Sequence, residues 1–381
     1  MFTYFFVLGR NQKLSAAEIK AVLSGDFTNG EGFLILETDK KIAAMEVLNR
    51  LGGSIKIGQV FSRSINENEI MGQILKGKGV KGKKLFFGFS LYGKIDTKID
   101  KLAIGIKKKL KDMGFLSRWV TSKEKQLSSV IVEKNRLLKQ GAEILIAKDE
   151  ENIYVAKTLE VQEFEKYSKR DFGRPQRDLL SGTLPPKLAK IMINLAQAKE
   201  DDVILDPFCG SGTILQEAIL LGYKKIIGSD ISDKAIAGTK LNLEWLNSKY
   251  KVQSTMYNLY QVDACHLSSK ISNQSVDAII TEPYLGPALK GNEPEHRIKV
   301  IVRELEKLYM DAFLEFKKIL KPKAKVVIVF PQIKATGKIF ELDILPQLRQ
   351  SGFRLISEQD LIYSRQDQKV WRQILVFKLN N

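Results

Sequence analysis

Three acidic residues close three successive apolar runs in the second half of the chain. Val203-Ile204-Leu205 ends in Asp206, Ile226-Ile227-Gly228-Ser229 ends in Asp230, and the stretch from Tyr257 to Val262 ends in Asp263. Straight after the first acid come Pro207-Phe208-Cys209-Gly210-Ser211-Gly212, and a helix is expected from Thr213. Glycines there let the backbone approach a ligand, and the helix N-terminus offers free N–H groups. Asp230 suits a two-oxygen grip on ribose hydroxyls, and Asp263 can accept from an adenine amino group. Ile231 and Ala264 follow these two acids and belong to the same candidate pocket, as does Phe208, which core packing would explain equally well. A single glycine turn is an ordinary structural turn in an α/β chain. Acids at three consecutive strand ends are far more specific and indicate a nucleoside-containing cofactor.

A fourth run, Val276–Thr281, leads into Glu282-Pro283-Tyr284. By contrast, Gly77-Lys78-Gly79-Val80-Lys81-Gly82-Lys83-Lys84 only imitates a phosphate loop. It lacks the Ser or Thr that would follow the lysine, and it runs into the apolar strand Leu85–Leu91 rather than a helix. A basic turn touching RNA phosphates through Lys81, Lys83 and Lys84 is the better reading.

These residues need strands and helices in alternation. From Pro185 onward the expected order is strand 203–206, helix from Thr213, strand 226–230, helix from Asp233, strand 257–263 and strand 276–281. A helix ending near Leu320, strand 325–330, a helix near 339–350 and two closing strands, 361–364 and 374–379, complete it. Such a chain makes a mostly parallel sheet with helices on both faces, binding ligands at the carboxyl ends of its strands. Residues 1–64 read as strand, helix, strand, helix, strand, with Ser15 and Glu18 spaced as a capping box. Residues 65–161 hold the strand 85–91, a helix over 98–113 and a hairpin built on 144–147 and 153–156. Residues 162–184, charged and without apolar periodicity, read as an exposed linker.

The Asp206–Thr213 stretch is nearly that of the amino-directed members of the class I S-adenosylmethionine-dependent methyltransferases, which the chain from Pro185 onward resembles. Those enzymes carry Asp, Asn or Ser at the fourth strand end, then Pro-Pro and an aromatic residue. Acceptors there hold the hydrogens of an exocyclic amine and aim its lone pair at the methyl group. The aromatic ring stacks on a base that has left its helix. Thr281 and Glu282 depart from this pattern; Pro283 and Tyr284 match it. Three explanations compete: Thr281 acts as the Ser variant does while the backbone carbonyls do the accepting, Glu282 supplies the carboxylate from one position later, or the site is inactive. Our working hypothesis is that Glu282 and the strand-end carbonyls share the amine.

Three further stretches narrow the family: Phe6-Val7-Leu8-Gly9-Arg10-Asn11 with Leu14–Ile19; Arg170–Asp178 with Ser181–Ala189; and Tyr363-Ser364-Arg365 with Lys369–Val376. In this order they resemble the THUMP-containing tRNA guanosine-10 N2-methyltransferases of archaeal type and their eukaryotic catalytic-subunit relative. The resemblance implies an α/β protein with an N-terminal ferredoxin-like domain (1–64), a THUMP-like RNA-binding domain (65–161), a linker (162–184) and a Rossmann-like methyltransferase domain (185–381). It implies S-adenosyl-L-methionine as cofactor, tRNA as partner, and Arg174, Arg177 and Arg365 near the RNA path. A small activating protein partner, as in the eukaryotic relative, stays compatible with the sequence. Competing readings are methylation of ribosomal RNA guanine N2 or of adenine N6, and a tRNA-binding protein with a degenerate site.

Charge agrees independently. The chain of 381 residues carries 61 Lys and Arg against 44 Asp and Glu, a net +17. Residues 70–148 contain 19 basic and 6 acidic residues, whereas residues 181–381 contain 28 and 22. Clustering of this kind is expected of a polyanion-binding surface. The apolar start, Phe2–Leu8, reads as a strand rather than a secretion signal, and no apolar run approaches the roughly 20 residues of a membrane helix. Cys209, Cys265, His266 and His296 do not have the spacing of a structural zinc site. A reduced, cytoplasmic protein without metal is expected.

Overall fold

The computed structural model describes residues 1–76, 84–95, 98–176, 183–252, 255–358, 360–365 and 368–380. The chain forms two compact units, Met1–Phe164 and Glu165–Asn381.

The first unit opens with β1 (Phe2–Leu8), α1 (Gln12–Val22), β2 (Asp26–Gly30), β3 (Phe33–Thr38), α2 (Ala44–Arg50) and β4 (Ser54–Ser62). It continues with α3 (Glu67–Leu75), β5 (Leu85–Gly93), α4 (Ile99–Asp112), β6 (Ser117–Val120), α5 (Ser129–Lys134), β7 (Gly141–Lys148) and β8 (Ile153–Val161). Its strands make one sheet in the order β2-β3-β1-β4-β8-β7-β5-β6. β5 is parallel to β6 and β7, and β7 and β8 form the expected hairpin. Strands from 1–64 and from 65–161 thus share a sheet, joined where β4 pairs with β8. A buried polar knot crosses that seam. Glu143 on β7 accepts from Lys56 on β4, from Ser90 Oγ on β5 (2.6 Å) and from Thr158 Oγ1 on β8 (2.8 Å). Such a knot is tolerable in a core because every member has a partner.

The capping box is not formed. α1 starts at Gln12, ahead of Ser15, and Ser15 Oγ instead lies 3.1 Å from the Asn11 carbonyl and 2.9 Å from that of Gly53. Glu18 accepts the backbone N–H groups of Gly52 (2.7 Å) and Gly53 (2.8 Å). Both side chains pin the turn before β4 rather than their own helix.

The second unit contains α6 (Phe164–Phe172, from the unit boundary), α7 (Pro186–Ala196), β9 (Val203–Asp206), α8 (Thr213–Leu220), β10 (Lys225–Asp230), α9 (Asp233–Tyr250) and β11 (Met256–Gln261). A 3-10 turn (Ala264–Ser269) leads to β12 (Val276–Thr281), α10 (Glu295–Ile319), β13 (Leu320–Ala335), β14 (Lys338–Phe340), α11 (Leu345–Gln350), β15 (Phe353–Leu355), β16 (Ile362–Tyr363) and β17 (Val370–Leu379). The main sheet runs β11-β10-β9-β12-β13-β17-β15. β11 through β13 are parallel, and β17 is antiparallel to β13 and β15. One face is covered by the 3-10 turn, α10 and α11, with Tyr309, Phe313 and Phe316 of α10 in the core. α7 packs on the sheet against β12, β13 and β17. The chain winds outward from β9 in both directions, so β9 and β12 flank the switch point where such sheets bind ligands.

The connector departs from expectation. Residues 164–172 are helical, and the side chains of Arg170 and Arg174 are buried in the second unit. Arg170 grips Glu217 of α8 through Nε (2.6 Å) and Nη2 (3.3 Å), while its guanidinium lies 4.5 Å from the Tyr167 ring centre. Its few apolar residues hid a segment whose burial runs through arginines. Residues 177–182 lie outside the described residues.

Candidate active site

The glycine turn is held from behind. Gly210 (φ 52°) and Gly212 (φ 76°) take left-handed conformations that residues with a Cβ disfavour. Thr239 Oγ1 of α9 donates to the Gly210 carbonyl (2.7 Å), and Asn242 Nδ2 donates to the Ser211 carbonyl (2.8 Å) and to the Gln176 carbonyl (2.9 Å). A Cβ on Gly212 would stand 2.8 Å from the Thr239 methyl, whereas one on Gly210 would meet nothing within 4 Å. Gly212 is therefore fixed by packing, and Gly210 faces open space at the mouth of the switch point.

The acids occupy that mouth. Asp230 accepts the N–H of Gly210 (2.9 Å) through one oxygen and that of Ser232 (3.0 Å) through the other. Asp206 is buried at the end of β9, accepting from the Phe208 N–H (3.2 Å) and the Thr281 hydroxyl (2.7 Å) on one oxygen. Burial drives its pKa up to about 7, against the two hydrogen bonds, with the nearby carboxylates Asp230 and Glu282 adding to the rise. Asp263 accepts the N–H of Cys265 (2.9 Å) and so caps the 3-10 turn that begins at Ala264. Ile231, 68% exposed, supplies an apolar lip beside Asp230.

This donor set fits S-adenosylmethionine. Crowded carboxylates suit a cationic sulfonium, the apolar lip suits a purine, and the open space at Gly210 is a cradle that any side chain would fill. Pro207 is buried in the turn; Phe208 is partly buried and packs on the core as well. Thr213 opens α8, and its hydroxyl accepts from Arg174 Nη1 (2.6 Å). Cys209 packs in the core, and burial pushes its thiol pKa far up, which makes it an inert space-filler. His266 and His296 are exposed.

The fourth strand end divides its roles in an unforeseen way. Thr281 is fully buried and spends its hydroxyl on Asp206, so its side chain does not reach a substrate amine. Its side chain, expected among the catalytic residues, holds Asp206 instead. Strand alternation sends the next side chain elsewhere: Glu282 pairs with Arg372 of β17. Pro283 is buried, and Tyr284, 54% exposed, offers a ring for stacking. Below it, the buried Tyr309 hydroxyl lies 3.3 Å from the Tyr284 carbonyl and 3.2 Å from that of Val329.

The arginines expected near RNA separate. Arg174 is 4% exposed and locks the connector onto Thr213, so it is not an RNA contact. Arg365 is exposed and donates to the Tyr363 hydroxyl through Nε (3.3 Å) and Nη2 (3.1 Å). Arg177, Lys81 and Lys83 lie outside the described residues; Lys84 is exposed. Sequence reasoning missed Thr239 and Asn242, which have no local signature. It also missed the pairing of Arg372, although Trp371-Arg372 lay in a stretch that carried the family resemblance. Among the described residues no three His, Cys, Asp or Glu side chains form a metal-binding group, and no helix is long and apolar enough to cross a membrane.

Comparison with known proteins agrees with this geometry. A family model described as an RMKL-like methyltransferase domain matches residues 174–352, and one described as a DNA methylase matches residues 96–241. The chain is 33% identical over 172 residues to the tRNA (guanine(10)-N2)-dimethyltransferase of Methanocaldococcus jannaschii, covering 43% of this chain and 47% of that protein. The matched stretch thus spans about half of that relative. A probable enzyme of the same name from Methanothermococcus thermolithotrophicus is 38% identical over 114 residues, which is 29% of this chain and 67% of that one. The Pyrococcus abyssi dimethyltransferase is 25% identical over 369 residues, 93% of each chain. In fold, the chain is similar to the crystal structure of TrmN from Thermus thermophilus, with a TM-score of 0.54, 15% identity and 99% of each chain covered. With the glycine turn, the strand-end acids and the Glu-Pro-Tyr exit all at one switch point, the chain belongs to the tRNA guanosine-10 N2-methyltransferase family.

Proposed function

We propose that this protein transfers a methyl group from S-adenosyl-L-methionine to the exocyclic N2 of a guanosine in tRNA, with position 10 the target named for its relatives. One observation carries the reading: a carboxylate, Glu282, and an exposed ring, Tyr284, emerge where β12 ends, beside the acids that would hold the cofactor. When bound, the cofactor would supply an electrophilic methyl group on a sulfonium, and the amine would give up one proton to water. The chain's own residues position the reactants. Asp206 and Asp230 would stabilise the cationic cofactor, with Pro207, Phe208, Gly210, Ser211, Gly212, Thr213, Ile231, Asp263 and Ala264 shaping its cradle. Tyr284 would stack on the extruded base, Pro283 would fix the turn, and Glu282 would accept the amine hydrogens.

The basic residues 70–148 would hold the tRNA through its phosphates, as part of a THUMP-like domain over 65–161 that follows a ferredoxin-like segment over 1–64. Arg177 and Arg365 would lie along the RNA path. A cytoplasmic location fits this role. The test is labelled methyl transfer to unmodified tRNA and ribosomal RNA, followed by nucleoside mass spectrometry. N2-methylguanosine or its dimethyl form in tRNA is expected; N6-methyladenosine as sole product would overturn the reading.

A further inference from the structure

The Glu282–Arg372 pair is the one feature of the strand exit that the acids and the glycine turn do not explain. Arg372 Nη2 donates to Glu282 Oε2 (3.2 Å), and its Nε donates to Oε1 in a parallel bond of 2.5 Å. The side chains are 9% and 13% exposed. They come from distant parts of the chain: Glu282 follows β12, and Arg372 lies on β17 facing Tyr363 of β16. Burial works against the charge of Arg372, but Glu282 more than offsets it and holds the guanidinium above its ordinary pKa, with Tyr363 adding to the effect.

A buried fork of this kind adds little net stability over an apolar pair, so its location is informative. A carboxylate accepts about four hydrogen bonds, and a fork takes one on each oxygen. Each oxygen keeps a second lone pair, and the fork fixes the plane in which it lies.

Resting on the functional reading above, we propose that Arg372 is a positioning residue for methyl transfer, holding the Glu282 carboxylate in one orientation so that its remaining lone pairs accept the hydrogens of the substrate amine. Among the described groups that interact with Glu282 are Arg372 from β17, Asp206 from β9 and Tyr309 from α10. Arg372 is the one that binds the carboxylate directly, through both oxygens, so its removal frees the carboxylate to rotate.

The test compares wild type, Arg372→Gln, Arg372→Lys, Glu282→Gln and the double variant Arg372→Gln/Glu282→Gln in single-turnover methyl transfer to tRNA at pH 8. Calorimetric cofactor affinity is measured for each. Arg372→Gln is expected to lower the transfer rate about ten- to a hundredfold. Cofactor affinity should stay within about twofold, and Arg372→Lys, which keeps one donor to the carboxylate, should recover part of the rate. The double variant should be no slower than Glu282→Gln alone, since Arg372 acts through Glu282. A wild-type transfer rate in Arg372→Gln, or single effects that multiply in the double variant, overturns the proposal and leaves the functional reading standing. No transfer by wild type to any RNA overturns both.

Discussion

Asp206 carries the sharpest consequence at the scale of single residues. Its carboxyl is buried, shares one oxygen between Phe208 and Thr281, and titrates near 7 rather than near 4. The folded protein therefore binds a proton there that the unfolded chain has released. From about pH 4 to 7 this group costs the fold increasing stability, and above 7 the loss is constant. Asp206→Asn keeps an acceptor for both donors without the buried charge. The variant should match wild type in thermal stability near pH 4 and exceed it increasingly up to pH 7, the gap widening by about 1.4 kcal/mol for each pH step of one. A gap that does not vary with pH would refute the assignment. The anionic form is also the one a cationic cofactor prefers. Wild-type affinity for S-adenosylmethionine should fall as pH drops below about 7, approaching tenfold for each further step of one; calorimetry at pH 5.5 and 8 decides it.

The glycine turn is an element whose two glycines fail differently when replaced. Gly212 is hemmed in by Thr239, and Gly210 is open. Gly212→Ala combines left-handed strain with a 2.8 Å approach to a β-branched side chain and should lower the melting temperature, with a cost of about 2–3 kcal/mol. Gly210→Ala bears only the strain, about 1 kcal/mol, but places a methyl group in the cradle. It should remain folded and lose cofactor affinity at least tenfold. The reverse pattern, a folding defect at 210 and a binding defect at 212, would show that the cradle lies elsewhere. The connector adds a second lesson at this scale. It looked like a linker because it lacks apolar periodicity, yet Arg170 and Arg174 anchor it to the helix that begins at Thr213.

Across the molecule the charge is divided. The net +13 of residues 70–148 stands against +6 for residues 181–381, a division that suits phosphate binding in one part and base chemistry in the other. Replacing Lys81, Lys83 and Lys84 by Gln should weaken tRNA binding and reduce the salt dependence of its affinity, by about one in the log–log slope for each lysine that meets a phosphate. Cofactor affinity should not change. Filter binding at several salt concentrations and calorimetry separate the two, and a matching loss in both would mean that the lysines serve the fold.

The strand-end acids, the glycine turn and the parallel order of strands were legible in the sequence because each is local: an apolar run, an acid at its end, glycines where the helix begins. Those signals located Asp206, Gly210, Gly212 and Asp230 at one switch point. What tertiary structure alone decided is which side chain does what there. Thr281 and Glu282 are adjacent in the chain, but strand alternation commits one to Asp206 and the other to Arg372, ninety residues away. Ser15 and Glu18 have capping-box spacing yet serve the turn at Gly52 and Gly53. Arg174 reads as a surface arginine until its burial beside Thr213 is seen. A polar side chain takes whichever partner the fold brings within about 3 Å, and that partner is set by strand order and pairing, which composition and spacing do not encode.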